Sequence, residues 1–259
     1  MRDIIRASLA LLLAVPSSSV ARAQEVERLN GPVVFDTYGV SELADLFIKS
    51  GVQFGVYRNP DPKFVQFIEY RIQPVQLPNG STEPFLAVYC NVTEPETYNG
   101  VWFKMGEADW RRYGRGELVL RLRQLPPLGV VQVFDPDTDQ RLADTDCTDT
   151  FKLELKTLNA VGTKEEFALG HQVGSREKAE QRANGYFDVK IPLSHFGLNQ
   201  YLDRVSEFVI TFENRSIAPS QRRGNLGLQA IVLTTARGEN VDRILIEARK
   251  ARQQQGTNP

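Results

Sequence analysis

The chain has 259 residues, 41% of them apolar and 24% charged, and a formal net charge of −1. This composition excludes a disordered or collagen-like chain and leaves room for one large β domain or two small ones. The near-neutral balance also argues against nucleic acid as a partner, because phosphate binding needs a clustered cationic surface and usually a basic domain.

Residues 1–23 read as a signal peptide: "MRDIIR" is a basic start, "ASLALLLAV" an apolar run too short to span a bilayer, and "SSSVARA" ends with alanines at 21 and 23, small residues that suit a signal peptidase. The other reading, a buried first helix, would need caps and a polar face that this stretch lacks. No cysteine follows the apolar run, so no lipid anchor is expected. Removing the segment takes away three arginines and one aspartate, leaving 28 basic and 31 acidic side chains, a formal charge of −3. No later apolar run is long enough to cross a membrane, so the expected location is secreted or periplasmic. Residues 24–31 form a linker.

From residue 32 to 236 the signal is that of one β domain. In chain order the strand candidates are "PVVFDTY", "VQFGVYR", "KFVQFIEYRI", "EPFLAVYC", "NGVWFKM", "ELVLRLR", "LGVVQVF", "FKLELKT", "YFDVKIPL", "EFVITFE" and "LGLQAIVLTT". Four of these alternate strictly. Leu118, Leu120 and Leu122 oppose Val119, Arg121 and Arg123; Phe151, Leu153 and Leu155 oppose Lys152, Glu154 and Lys156; Phe187, Val189 and Ile191 oppose Asp188 and Lys190; Phe208, Ile210 and Phe212 oppose Val209, Thr211 and Glu213. Turn clusters such as "NPDP", "LPNGS" and "QLPPLG" separate the runs, which predicts an all-β, two-layer antiparallel sandwich. Helix is expected in two places. Ser41 and Gly51 bracket a short one in "SELADLFIKSG", and residues 237–259, with "NVDRILIEARKARQQQ", form a C-terminal helix or tail, docked or loose.

The chain has two cysteines, Cys90 and Cys147. In an exported chain such a pair commonly forms a disulfide, and two unpaired thiols are the other possibility, since spacing alone does not bring the Cα atoms into range. In "DPDTDQRLADTD", Asp135, Asp137, Asp139 and Asp146 stand at loop positions 1, 3, 5 and 12, an oxygen-rich spacing suited to calcium. Gln140 replaces the turn glycine and an aspartate replaces the final glutamate, so a solvated acidic loop is the competing reading.

The order "YNGVWFKMGEADWRRYGRGELVLRLR", "FKLELKT", "GYFDVKIPLSHFG", "LDRVSEFVITFE", "LGLQAIVLTT" resembles the galactose-binding-like jelly rolls, near family 11 carbohydrate-binding modules and the complex I intermediate-associated protein domains. In them a Gly-aromatic strand leads to an Asp-Trp-x-x-Tyr turn, a strand ending in Arg, a Leu-Lys strand, a v-x-i-P-l-s-x-F segment and a last strand. The resemblance covers residues 98–236 and implies a jelly-roll sandwich, with Trp110 and Tyr113 packed in the turn. It also implies a structural calcium between an acidic first strand and an Asp-Asp pair in the last. Here Asp36 stands alone in the first strand, and "LGLQAIVL" has no acid.

Within "NGVWFKM", alternation turns Val101, Phe103 and Met105 inward and leaves Trp102 and Lys104 outward among charges. An aromatic plane covers the apolar C–H face of a pyranose, while charged side chains bond its hydroxyls. The predicted ligand set is Trp102 and Tyr98 with Lys104, Arg121, Arg123, Glu154 and Lys156, taken to share one face. Two plainer readings stand beside it: an exposed ring without a ligand, and charges that serve only cross-strand ion pairs. Catalysis finds little support, because there is no G-x-S-x-G, P-loop or H-E-x-x-H, and His171 and His195 stand alone. Glu154 and Glu213 are the one conceivable carboxylate pair for glycoside cleavage. The expected function is an exported, non-catalytic carbohydrate-binding protein whose partner is a polysaccharide. The alternative is a protein-interaction or assembly domain in which the same face docks a protein partner and the C-terminal segment from Glu239 to Gln255 contributes a helix.

Overall fold

The computed structural model describes residues 30–43, 45–46, 52–60, 66–77, 79–92, 98–123, 152–158, 164–172, 180–181, 185–196, 202–213 and 222–256. Two antiparallel sheets face each other. The larger has seven strands: β3 (Gln66–Gln76), β4 (Thr82–Val92), β12 (Arg222–Leu233), β6 (Glu117–Arg123), β10 (Tyr186–Pro192) and β9 (Glu180–Gln181) in that order, with β1 (Val33–Asp36) also paired to β12. The smaller has five, ordered β2 (Gln53–Arg58), β5 (Tyr98–Ala108), β11 (Val205–Glu213), β7 (Lys152–Leu158) and β8 (Lys164–Gln172). The architecture is the predicted β-sandwich. Strand β8 was not anticipated, because "KEEFALGHQ" lacks clean alternation. "LGVVQVF" and residues 1–23 lie outside the described residues.

The inward sides of the alternating runs meet as one core. Val101, Phe103, Leu118, Leu120, Leu153, Leu155, Phe208 and Ile210 are fully buried. Phe103 is central, with ring centroids 5.1 Å from Phe35, 5.3 Å from Phe54 and 5.9 Å from Phe208. Burying side chains of this size contributes roughly 1.5–3 kcal/mol each, which is what makes register worth keeping.

After β5 the chain turns through Asp109 and Trp110 into a 3-10 turn, Arg111–Tyr113. Trp110 and Tyr113 are buried, as expected for the turn. The Trp110 backbone N–H donates to the Leu202 carbonyl at 2.6 Å, and the Tyr113 hydroxyl donates to the Asn30 carbonyl at 3.0 Å. Burial pushes the Tyr113 phenol up, against the pull of Arg112. The Arg111 guanidinium chelates both Asp109 oxygens and holds that carboxyl below its usual range.

The C-terminal segment is a docked helix, Val241–Gly256, lying on the outer side of the seven-stranded sheet. Val241 and Leu245 pack on Val119, Ala230 and Val232 as a second, smaller core. Ion pairs flank this seam: Arg249 and Arg252 both reach the buried Asp36, at 3.0 and 3.2 Å, and Asp242 reaches Arg121 at 2.8 Å. Asp36 is therefore spent on the helix. Among the described residues no helix is long and apolar enough to cross a membrane.

Candidate functional site

Among the described residues, the outer side of the five-stranded sheet carries no helix, and its residues are placed by register. Gly55 of β2 lies opposite Trp102 of β5, and Tyr57 of β2 lies opposite Gly100 of β5. The two cross-strand pairs are reciprocal, one aromatic and one glycine each. A methyl at Gly55 would sit 2.1 Å from Trp102 Cζ2, and one at Gly100 would sit 2.8 Å from Tyr57 Oη and 2.1 Å from the Ile210 carbonyl oxygen. Glycine is thus required at both positions so that each ring can lie across the opposite strand instead of standing off the sheet. The Tyr57 hydroxyl shares a short hydrogen bond with the Thr211 hydroxyl, which pins that ring. Tyr98 follows, its ring 6.1 Å from Tyr57 at an angle of 46°. Three rings therefore form a shelf along the β2–β5 edge.

Beyond the shelf the same cross-strand rows continue into charge. Trp102 pairs with Val209 and then Glu154; Lys104 pairs with Glu207 and then Lys156; Gly100 pairs with Thr211 and then Lys152. Shelf and charges line one groove of about 440 Å³, bounded by Tyr57, Tyr98, Trp102, Lys152, Glu154, Lys156, Glu207, Val209 and Thr211. Lys152 pairs with Glu154 at 2.7 Å, and Lys156 with Glu207 at 3.2 Å. Side-chain exposure is 19% and 14% in the first pair and 16% and 5% in the second, so Lys152, Glu154 and Lys156 are part-shielded and Glu207 is buried at the groove floor. The Lys104 ammonium hangs over the Trp102 ring, 4.6 Å from its centroid. At an exposed site such a contact is worth about 0.5–1 kcal/mol, so a flat ligand displaces it cheaply.

Of the predicted ligand set, Tyr98, Trp102, Lys104, Glu154 and Lys156 come together on this face. Arg121 and Arg123 do not. They belong to β6 in the opposite sheet, as does the neighbouring Lys190 of β10. Alternation separates the two sides of a strand but does not say which sheet the strand joins. Arg121 is bidentate to Asp188 at 2.9 and 3.1 Å beneath the C-terminal helix, and Arg123 sits over the Tyr186 ring. Glu213 pairs with Tyr98 in backbone register, at the far end of β11 from Glu207.

The sequence reading missed Tyr57, Glu207 and Thr211 as site residues. The available signal was the glycine two residues from an aromatic in both "FGVYR" and "NGVWF", an unusual feature inside a strand. Asp135, Asp137, Asp139, Asp146 and Cys147 lie outside the described residues, and Cys90 is buried in the core. Among the described residues no group of three or more His, Cys, Asp or Glu is placed to hold a metal.

No family model matches the chain, and no curated protein matches it. Among solved structures it is similar to an exo-β-agarase, with TM-score 0.40 and 9% identity over 79% of this chain and 26% of the agarase. It is similar to the C-terminal family 22 carbohydrate-binding module of Clostridium thermocellum Xyn10B, with TM-score 0.32 and 12% identity over 79% of this chain and 95% of the module. A third is PfGH50B, with TM-score 0.31 and 9% identity over 73% of this chain and 23% of that one. The chain thus spans about a quarter of the agarase and of PfGH50B.

Proposed function

We propose that this chain is an exported, non-catalytic carbohydrate-binding protein that stacks a glycan on the shelf of Trp102, Tyr57 and Tyr98. The observation that carries the reading is the pair of reciprocal glycines, which lay Trp102 and Tyr57 flat on the open sheet at the edge of a charged groove. A flat ring beside carboxylates and ammoniums suits a pyranose, apolar on its C–H face and rich in hydroxyls at its rim. Glu154 and Glu207 are each neutralised by a lysine, which favours holding a sugar over cleaving one. Glu154 would accept from sugar hydroxyls while Lys152 and Lys156 donate and Glu207 holds Lys156 in place. The docking of the C-terminal helix on its own sheet removes one support for a protein-interaction role, since that segment was the expected partner element.

The test is tryptophan fluorescence titrated with soluble glucans, xylans, galactans and peptidoglycan fragments, with calcium and with chelator. A saturable shift is expected for one class and is lost in Trp102→Ala with the fold intact by circular dichroism. No shift across the panel, together with a partner captured by the parent and lost by Trp102→Ala, would favour a docking surface instead. Calcium at Asp135, Asp137, Asp139 and Asp146 is a separate proposal, and a chelator-sensitive melting temperature is its expected sign. A disulfide between Cys90 and Cys147 is another, and two reactive thiols in the unfolded, unreduced protein would end it.

A further inference from the structure

A second pocket, of about 650 Å³, opens beside the Arg111–Tyr113 turn, at the end of the sandwich where β5 stops and β11 begins. Its lining includes Arg111, Arg112, Arg115 and Arg237, with Ser194 and Thr235, and no acid is among its described lining residues. Two of the arginines are anchored. Arg111 is held by Asp109, and Arg112 donates to the Asn30 carbonyl at 2.6 Å and lies over the Tyr113 ring, 4.7 Å from its centroid. Arg115 and Arg237 are exposed and make no ion pair or hydrogen bond among the described residues. The neighbouring acids are already bonded: Asp109 is held by Arg111, Asp203 lies beside Arg204 at 3.6 Å, and Glu239 accepts from the Thr235 N–H and hydroxyl, both at 2.7 Å, which leaves Arg112, Arg115 and Arg237 without a carboxylate partner among the described residues.

Guanidiniums gathered around one cavity repel one another. An oxyanion turns that repulsion into attraction. Guanidinium forks match carboxylate and sulfate geometry two oxygens at a time, and Arg112, anchored on Asn30 and Tyr113, loses little freedom on binding. The cavity is far larger than a single tetrahedral anion, whose volume is of the order of a few waters of about 30 Å³ each. Its three arginines without a carboxylate partner among the described residues, Arg112, Arg115 and Arg237, suit several anionic groups on one chain.

We propose that this pocket binds the carboxylate or sulfate groups of an acidic polysaccharide. The site is separate from the aromatic groove, and only the choice of a sugar polymer as carrier leans on the glycan reading. The test is calorimetric titration of the full chain at 0.1 M salt with polygalacturonate, dextran sulfate, neutral dextran, inorganic sulfate and single-stranded DNA. One or both acidic polymers are expected to bind and neutral dextran is not. The double variant Arg115→Gln, Arg237→Gln loses at least tenfold in affinity, whereas Arg71→Gln, Lys250→Gln, with the same charge change elsewhere, binds like the parent. Trp102→Ala also keeps this binding, which separates the failure of one site from the failure of the other. Equal losses in both double variants, or no binding by either acidic polymer, would overturn the proposal. Binding of inorganic sulfate alone, or of DNA as tightly as the polymers, would overturn the assignment to polysaccharide.

Discussion

The outer sides of β6 and β7 begin from the same sequence rhythm and end in opposite environments. "ELVLRLR" and "KLELKTL" both alternate apolar with polar residues and both send leucines into the core. On β7 the outer residues Lys152, Glu154 and Lys156 stay partly open and line a groove. On β6 the outer residues Val119 and Arg121 are 0% and 5% exposed, because the C-terminal helix covers them. Ion pairs on the two faces therefore have different weight. An open pair is screened and easily given up to a ligand, whereas a buried one leaves a costly unpaired charge when either partner is removed.

The sharpest way to break this comparison is to remove one carboxylate from each face. Asp188→Asn strips the buried Arg121 of its bidentate partner and is expected to cost about 3–5 kcal/mol, while Glu154→Gln costs less than about 1. Urea denaturation of the two variants checks this, and equal losses would mean that the helix does not shield the seam. The apolar part of the seam comes next. Leu245→Ala is expected to cost about 2–4 kcal/mol, against about 0.5 or less for the exposed Ile246→Ala one residue on. Similar melting temperatures for that pair would undock the helix in solution.

The open face is tested by crowding it. Gly55→Ala drives a methyl into the Trp102 ring, at an expected cost of about 1–3 kcal/mol, with a changed tryptophan emission and weaker glycan binding. Gly100→Ala is the harsher variant, because its methyl meets the Ile210 carbonyl of the next strand, which cannot swing aside. Parent-like emission and affinity in Gly55→Ala would remove the shelf from the binding account.

The smallest effect at neutral pH belongs to Tyr186, on the covered face. Burial raises its phenol to about 12 from the usual 10. Between those values the unfolded chain has released the proton and the folded chain has not, so stability falls as pH rises from 10 to 12. Tyr186→Phe should flatten that limb of the stability curve and leave pH 7 nearly unchanged, as read by urea midpoints across the range. An unchanged alkaline limb would place the loss elsewhere.

Much of the fold was legible because burial on one side of a strand writes a period of two directly into the residues. Most of the sandwich strands follow from that period, and the burial of Trp110 and Tyr113 was implied by the resemblance of the Asp-Trp-x-x-Tyr turn to that of the jelly rolls. Half of the site was legible for the same reason: Trp102, Lys104, Glu154 and Lys156 are the outward residues of their strands. What local pattern could not carry was the partner of each strand. Tyr57 joined the site only through the register of β2 on β5, 47 positions apart at the Gly55–Trp102 pair, and Arg121 left it because β6 pairs with β10 and β12.

The sequence by itself determined which residues face the core, since each strand must hide one side from water whatever it pairs with. Only the tertiary structure decided which outer face would be surface. That choice depends on where a helix more than 80 residues after β7 comes to rest, and on the apolar seam of Val119, Ala230 and Val232 that receives it. Those contacts are long-range, so no window of the sequence contains both halves of them.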